Sequence, residues 1–231
     1  MYHVIAPPPP GAPYPGLYVP RPEFAAQMRA LHAARWHAVT LADVRENWTE
    51  GRSLPRHPIV ISFDNGYRSQ WADALPVMRR LGWPGVENLQ LTGLPPDQGG
   101  ITPPEVRALI RAGWEIDTQG ISHADLVDID AAQLHAQVHD ARSTLRRRYR
   151  VGVDWFCYPS GQYDATVIAA VRAAGYVGAT TVVPGWASQA TNRYALPRLR
   201  VSAGTTPAQL LAQIAAERTA PAPPPAWTTS S

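Results

Sequence analysis

The sequence predicts an α/β fold in which alternating strands and helices build a largely parallel sheet or barrel. Three observations support this prediction. Apolar segments of strand length alternate along the 231 residues with segments whose apolar residues recur at helical spacing. Glycine, proline and capping residues separate these segments. No internal repeat divides the chain, and its length is sufficient for one sizeable domain.

The first half of the chain begins with an irregular segment. Residues 7–20 are rich in proline, which removes backbone donors, so a surface loop is expected there. Phe24, Met28 and Leu31 then recur at helical spacing and predict an amphipathic helix over residues 22–34. The elements expected next are a strand over 37–41, a loop, a strand over 59–66, a helix over 69–81 and an apolar stretch over 86–91.

The second half continues the alternation. Thr102 is a capping residue followed by two prolines, and Gly113 ends the helix that they begin. The later elements are strands over 114–120, 153–157, 176–182 and 196–201, and helices over 130–148, 164–175 and 206–217. Residues 219–231 are again rich in proline and predict a disordered tail or linker, so the domain is assigned to residues 1–218.

The composition excludes several classes of function. The chain is 45% hydrophobic and 17% charged, and it has no uninterrupted apolar run that would span a membrane. The opening residues lack a basic segment followed by an apolar one, so no signal peptide is expected there. The net charge is +3, and the chain has no lysine, so its 21 strongly basic residues are all arginines. The densest basic run, Arg146–Arg150, is typical of a helix end. We therefore expect no nucleic-acid partner.

Several polar side chains follow the predicted strands, where α/β folds carry their active sites. Each has an ordinary structural explanation when taken singly, as a turn, cap or hydrogen-bonding residue. The candidates are His3, Asp64, Asn65, Asp117, Gln119, His123, Arg198 and the loop that follows Cys157.

Four motifs together resemble a known family. "ISFDNGYRS" is similar to the "TFDDGY" motif of the polysaccharide deacetylases, carbohydrate esterase family 4. "GWEIDTQGISHADL" and "FCYPSGQYD" resemble its later motifs, and the opening "MYHVI" resembles the start of its bacterial exopolysaccharide-deacetylase branch. The resemblance extends from residue 1 to about residue 216. It implies a distorted (β/α) barrel and a hydrolase that cleaves C–N amide bonds, such as the N-acetyl groups of amino-sugar polymers.

The resemblance also implies roles for individual residues. Asp64 matches the general base, and His3 matches the histidine that protonates the leaving amine. Arg198 matches an arginine that orients the base. The loop that shapes the oxyanion site and the sugar groove matches Tyr158, Pro159, Ser160 and Gly161. In the family a divalent metal, usually zinc, is held at the positions of Asn65, Gln119 and His123.

The metal positions depart from the family pattern. Asn65 and Gln119 place amides where the family has an aspartate and a histidine, and amide oxygens are poor zinc ligands. Zinc binding is therefore expected to be weakened. His135 and His139 are four residues apart and form an alternative pair, for which exposure on an outer helix is the favoured interpretation. Among the nearer acids, Asp125 is expected to cap a turn, whereas Asp117 faces either the cleft or the opposite side.

Cys157 and three aromatic residues have two interpretations each. Cys157 directly precedes the "YPSG" loop, a position that is consistent with a catalytic nucleophile. It also lies in an apolar strand, where cysteine usually packs as a small hydrophobic residue, and we favour this second interpretation. Trp155, Tyr163 and Trp186 are equally consistent with stacking on sugar rings and with core packing.

Three functions remain open at this point. The first is an active deacetylase of N-acetylated oligo- or polysaccharides with weak or altered metal use. The second is a catalytically impaired member, natural or substituted at Asn65 and Gln119, that binds carbohydrate. The third is a metal-independent amide or ester hydrolase that uses Asp64 and His3. The family branch suggests an extracellular or cell-envelope location.

Overall fold

The computed structural model describes residues 1–92, 94 and 99–220. Contacts between residues divide the chain into two compact units. Unit 1 comprises Met1–Glu87, Leu94–Glu115 and Arg200–Ala215, and unit 2 comprises Asn88–Gly93, Ile116–Leu199 and Ala216–Ser231. The predicted disordered tail lies outside the described residues from position 221 onward. A single domain over residues 1–218 stays a prediction.

The strands confirm the predicted parallel sheet. They are β1 (His37–Ala38), β2 (Pro58–Ile59), β3 (Ser62–Asn65), β4 (Val86–Leu89), β5 (Glu115–Thr118), β6 (Trp155–Cys157) and β7 (Gly178–Thr180). In the described part of the chain β1 pairs in parallel with β2, and the other strands form a sheet in the order β3-β4-β5-β6-β7. The β5–β6 and β6–β7 pairs are parallel. This sequential order follows from helical connections between neighbouring strands.

The helices occupy most of the predicted positions. They are α1 (Arg21–Ala33), α2 (Leu41–Glu50), α3 (Leu75–Arg80), α4 (Pro103–Arg111), α5 (Ala131–His135), α6 (Ala141–Tyr149), α7 (Ala165–Ala173) and α8 (Pro207–Thr219). The π-helical turn Gln70–Ala74 precedes α3, and another, Ala136–Asp140, joins α5 to α6. No helix within residues 1–92 and 99–220 is long and apolar enough to cross a membrane.

Two sequence-based expectations about these elements are wrong. The loop predicted after β1 is the helix α2, which begins at a reciprocal capping box between Thr40 and Asp43. The strand predicted over residues 196–201 is reduced to one bridge between Leu196 and Thr180. Pro197 has no N–H group and therefore ends the ladder directly after that bridge.

Aromatic residues form the core of unit 1. Tyr2, Phe24 and Phe63 are almost fully buried, with ring centroids 5.0 Å apart for Tyr2 and Phe24. Phe63 also stacks on Trp114 at 4.8 Å. These contacts fix β3 between the N-terminal segment and β4, and so fix the strand end that carries Asp64.

Unit 2 has its own aromatic core. Phe156 packs edge-on against Tyr158 and Tyr176 at 5.6 and 5.4 Å. The hydroxyl of Tyr176 donates to the carbonyl of Val138 at 2.9 Å and ties the turn between α5 and α6 to this core. The expected inner face of that helical segment, Leu134, Val138, Ala141 and Leu145, is buried as predicted.

Candidate active site

Backbone pairing at the N-terminus places His3 beside Asp64 in unit 1. Tyr2 forms a parallel bridge with Phe63. Its N–H donates to the carbonyl of Ser62 at 2.8 Å, and its carbonyl accepts from the N–H of Asp64 at 3.0 Å. Because side chains alternate between the two faces of a strand, Tyr2 shares one face with Phe63 and His3 shares the other with Asp64. The first residues of the chain therefore act as a further strand beside β3.

The imidazole of His3 and the carboxylate of Asp64 form a buried pair. His3 Nε2 lies 3.9 Å from Asp64 Oδ2, and the two side chains are 9% and 1% exposed. This distance is too long for a direct hydrogen bond and suits an ion pair when the imidazole is protonated. A carboxylate that accepts protons and an imidazole that donates them are the two groups that general acid–base catalysis requires.

Gln70 holds the backbone of both members of the pair, a role that sequence reasoning missed. Its Nε2 donates to the carbonyl of His3 at 2.8 Å and to the carbonyl of Asp64 at 2.7 Å. The neighbouring Ser69 accepts a hydrogen bond from the N–H of Ile5 at 3.0 Å. Gln70 is fully buried, and nothing in its sequence neighbourhood distinguishes it from an exposed residue of the helix predicted over 69–81.

Asn65 ends β3 in a left-handed backbone conformation. Its φ of 76° is followed by a φ of 80° at Gly66, so the chain turns sharply directly after Asp64. Asparagine tolerates positive φ better than most residues because its short side chain bonds locally. The N–H of Ile101 donates to the carbonyl of Gly66 at 2.9 Å and fixes this turn. The side chain of Asn65 is buried, at 7% exposure.

Glu87 adds a carboxyl to unit 1 that sequence reasoning did not consider. It is fully buried in β4, and neither of its carboxyl oxygens has a hydrogen-bond partner among the described residues. Burial raises the pKa of the Glu87 carboxyl well above its ordinary value, and the negative charge of Asp64 raises it further. Burial and the neighbouring negative charge therefore both favour the neutral acid form of Glu87. The available signal in the sequence was an acidic residue within the segment predicted as an apolar stretch, residues 86–91.

The candidates within and after β5 lie in unit 2. Gln119 is buried at 3% exposure, whereas His123 is half-buried with a φ of 56°. Asp117 has a structural role, because its Oδ1 accepts from the N–H groups of Asp154 and Trp155 at 3.0 and 2.9 Å. The carboxylate of Asp117 therefore lies at the beginning of β6 and bonds to its backbone. Asp125 accepts from the N–H of Val127 at 3.4 Å and caps a turn, as predicted.

The loop after β6 is a single 3₁₀ turn, Pro159–Gly161, in which Ser160 is exposed at a φ of 53°. The N–H of Tyr158 donates to the carbonyl of Thr180, and the N–H of Gly161 donates to the carbonyl of Tyr158. These two donors are therefore engaged within the protein. A β-carbon at Gly161 would lie 2.2 Å from a methyl group of Val182, so this position has no room for a side chain.

The side chain of Tyr158 lies in the core of unit 2. Its hydroxyl donates to the carbonyl of Tyr194 at 2.9 Å, and its ring stacks on Tyr163 at 4.6 Å. Desolvation by burial raises the pKa of Tyr158. Tyr163 and Trp155, at 7% and 1% exposure, therefore pack in the core and do not offer open stacking faces. Trp186 is half-buried, with the guanidinium of Arg218 6.0 Å from its ring.

Arg198 contacts Cys157 and Thr181 within unit 2. Its Nε donates to the carbonyl of Thr181 at 2.8 Å, and its Nη2 lies 3.2 Å from the sulfur of Cys157. Cys157 is fully buried, which agrees with its interpretation as a small packed side chain. The role of Arg198 toward Asp64 stays a prediction.

His135 and His139 lie on the surface, as expected, and a neighbouring acid joins them. The imidazole rings stack at 4.6 Å, and Asp140 Oδ1 lies 2.9 Å from His139 Nδ1 and 3.9 Å from His135 Nδ1. The π-helical turn Ala136–Asp140 contains Asp140, so one carboxylate lies within reach of both imidazoles. The donor atoms of all three residues lie within 4.8 Å of one another, and all three are exposed.

Comparison with known proteins identifies the same family throughout. The family model described as polysaccharide deacetylase matches residues 51–179. YxkH of Bacillus subtilis, whose name assigns it to the polysaccharide deacetylases, is 26% identical over 188 residues, which cover 81% of this chain and 67% of its own. A poly-beta-1,6-N-acetyl-D-glucosamine N-deacetylase of Escherichia coli is 33% identical over 60 residues, 26% of this chain and 9% of its own length.

Solved structures share the fold. The deacetylase PplD of Streptococcus pyogenes, solved with acetate, superposes with a TM-score of 0.84 over 92% of this chain and 95% of its own, at 20% identity. IcaB from Ammonifex degensii superposes with a TM-score of 0.74 over 92% and 94% of the two chains, at 17% identity. These likenesses confirm the predicted deacetylase-type distorted (β/α) barrel.

Proposed function

The chain belongs to the polysaccharide deacetylase family, and we propose from this membership that it hydrolyses the N-acetyl amide bonds of an amino-sugar polymer. The observation that carries the proposal is the buried His3–Asp64 pair at 3.9 Å, held at both backbones by Gln70. The substrate class rests on the relatives, one of which is named for N-deacetylation of an N-acetylglucosamine polymer. We also propose an extracellular or cell-envelope location, as the family branch suggests.

In the proposed reaction, water attacks the acetyl carbonyl carbon and the C–N bond breaks. The carboxylate of Asp64 accepts a proton from the attacking water, so that the new C–O bond forms without releasing a free hydronium ion. The imidazolium of His3 donates its proton to the leaving nitrogen. The products are acetate and a free amino group on the sugar. The low exposure of both side chains strengthens their interaction with developing charge, because little solvent screens it.

The residues at the family's metal positions do not fit zinc. Asn65 and Gln119 supply neutral amides, and His123 supplies one imidazole. Structural and catalytic zinc sites are built from imidazole, thiolate and carboxylate donors, so two of the three groups are of the wrong kind. We therefore propose that zinc binding at these positions is weak, and we assign no reaction step to a metal. The exposed cluster His135, His139 and Asp140 is a separate set of donors.

A second candidate function is carbohydrate binding without catalysis. The same two amides favour it, because a member that has lost its metal ligands can keep its substrate groove. A third candidate is metal-independent hydrolysis of another amide or an ester by His3 and Asp64. Acetate release from chitooligosaccharides, measured beside a panel of small amides and esters, separates the three. Release from the oligosaccharide supports deacetylation, activity on the panel alone supports the third candidate, and binding without turnover supports the second.

The test of the catalytic pair uses Asp64→Asn and His3→Gln. We expect each substitution to lower kcat by about 10²–10⁴-fold, the usual contribution of general acid–base catalysis, with KM little changed. Asp128→Asn and His135→Gln are matched controls, because they make the same chemical changes at exposed positions. If either pair variant retains more than half of the wild-type kcat on every active substrate, the assignment of that residue is wrong.

A further inference from the structure

Unit 1 contains a pocket, away from His3 and Asp64 in sequence, that is lined by basic and aromatic side chains. It occupies about 720 Å³, a volume typical of small-ligand sites. The end of α1 and the segment before β2 contribute its walls. The lining residues are His32, Ala33, Arg35, Trp36, His37, Arg56 and His57. Two guanidiniums and three imidazoles thus face one cavity, and no acidic residue belongs to the lining.

The two guanidiniums have no acidic partner among the residues that the structure describes. Neither Arg35 nor Arg56 forms an ion pair or a side-chain hydrogen bond with any residue in the described ranges. Positive charge near the end of α1 complements the helix dipole, which accounts for His32 and Arg35. It does not account for Arg56 and His57, which come from a different segment. Planar guanidinium groups bind carboxylate and phosphate oxygens through paired N–H donors.

The backbone around the pocket holds two side chains in costly conformations. Arg35 has a φ of 62° two positions beyond the last residue of α1, where glycine is usual. Gly51 and Gly113 adopt this conformation just beyond α2 and α4. His57 has a φ of 54° directly before Pro58, where the ring of the proline restricts the backbone further. Strained residues of this kind concentrate at ligand-binding sites.

The rings of the pocket are fixed by local contacts. His57 packs on Trp36 with ring centroids 5.5 Å apart, and Trp36 is 7% exposed. The Nδ1 of His37 donates to the carbonyl of Arg56 at 2.7 Å, which ties the two walls together and directs Nε2 away from that bond. The pocket therefore combines fixed rings with cationic side chains.

We propose that this pocket binds an oxyanion group carried on a sugar ring, either a carboxylate or a phosphate, with Arg35 and Arg56 as the charged ligands. The imidazoles of His32 and His37 are exposed and offer ring nitrogens to sugar hydroxyls, and the two guanidiniums suit the oxyanion. Such a site lets the protein hold an anionic glycan independently of the bond that it cleaves. It goes beyond the proposed deacetylase function, and its test does not measure acetate release.

The experiment is calorimetric titration of the full chain at low ionic strength with trigalacturonate, with glucose 6-phosphate and with neutral maltotriose. We expect at least one anionic probe to bind with a sub-millimolar Kd and maltotriose to bind at least tenfold more weakly. Arg35→Gln combined with Arg56→Gln is expected to weaken the anionic probe at least tenfold, since charge-assisted bonds are lost. A preference for one anionic probe identifies the carboxylate or the phosphate as the recognised group.

The matched control is Arg146→Gln combined with Arg147→Gln, which removes two exposed arginines from unit 2 and is expected to leave the Kd unchanged. Ala33→Glu, at an exposed lining position, adds a negative charge without removing a contact and tests the site if the arginine variant fails to fold. Equal weakening by the control and pocket variants would overturn the proposal. So would equal affinity for maltotriose, or a Kd above about 1 mM for both anionic probes.

Discussion

Burial of Glu87 without hydrogen-bond partners raises the pKa of its carboxyl well above the ordinary value of 4.5. In the unfolded chain the same group ionises near 4.5, so above that pH the folded state binds more protons than the unfolded state. The free energy of unfolding therefore falls as the pH rises from about 4.5 toward the folded pKa. Below 4.5 both states are protonated and the group makes no pH-dependent contribution.

The first prediction follows from this linkage. Glu87→Gln keeps a neutral side chain of similar size, so the variant is expected to lose less stability than wild type between pH 5 and pH 8. Over this pH range the wild type should lose more free energy of unfolding than Glu87→Gln, by about 1.4 kcal/mol for each pH unit between 5 and the folded pKa of Glu87. Urea unfolding at both pH values measures this difference. Glu50→Gln, at an exposed position of α2, is the control, and identical pH slopes for wild type and Glu87→Gln would contradict the prediction.

Gln70 positions the catalytic pair without touching the reacting atoms in the proposed reaction. Gln70→Ala removes the donors to the carbonyls of His3 and Asp64, so we expect a loss of about 1–3 kcal/mol in the free energy of unfolding. We also expect kcat to fall more than KM rises, because the pair is displaced and the substrate contacts are kept. Gln162→Ala, at an exposed position, controls for loss of the amide. A stable variant with unchanged kcat would exclude the positioning role.

At the scale of elements, Asp117 joins two strands through their backbones. Its Oδ1 accepts from the N–H groups of Asp154 and Trp155, at the beginning of β6. Asp117→Ala removes the acceptor of the buried N–H of Trp155 and of the half-buried N–H of Asp154. We expect a loss of about 2–4 kcal/mol in the free energy of unfolding, measured by urea denaturation. Asp128→Ala is the exposed control. A loss below about 0.5 kcal/mol would show that water or another group replaces the carboxylate.

The sequence predicts elements well where caps and periodicity agree. Helix α4 follows Thr102 and two prolines and stops before Gly113, as expected from those residues alone. Helix α2 lacks a clear apolar periodicity, because Leu41 is the residue that it buries fully, and its sequence therefore favours a loop. The capping box between Thr40 and Asp43 is the signal in the sequence that indicates the helix. The strand over 196–201 failed for the opposite reason, since its apolar residues suggested a strand that Pro197 prevents from pairing.

The candidate site was predictable only in part. Asp64 and His3 were identified through resemblance, and their 3.9 Å separation depends on a bridge between Tyr2 and Phe63, sixty-one positions apart in the chain. Gln70 and Glu87 were missed because their importance comes from burial and from the backbone groups around them, which no local pattern records. Asp117 shows the same limit, because its orientation depends on the register between β5 and β6.

At the scale of the whole molecule, metal binding is thermodynamically coupled to folding. A ligand that binds only the folded chain stabilises it by about 2.7 kcal/mol when present at one hundred times its Kd. For a chain of this size each kcal/mol raises Tm by roughly 2–4 °C. Zinc at the family's positions should therefore stabilise the protein visibly if the donors suit it. The surface cluster His135, His139 and Asp140 offers a second set of donors to added zinc, so its two histidines are replaced first.

The decisive comparison is made in a His135→Gln and His139→Gln background. We expect zinc to leave Tm unchanged within about 1 °C while Asn65 and Gln119 are present, because two neutral amides and one imidazole hold the ion weakly. Adding Asn65→Asp and Gln119→His supplies a carboxylate and a second imidazole, and we expect Tm to rise by about 5 °C or more with saturating zinc. Acetate release from chitooligosaccharides should rise in the same restored variant.

The matched control adds Asp128→Asn and Gln162→His to the same background. These changes affect an aspartate and a glutamine at exposed positions, and we expect zinc to leave the Tm of this variant unchanged. Stoichiometric zinc in the background protein, before either restoring substitution, would show that the two amides do not weaken the site.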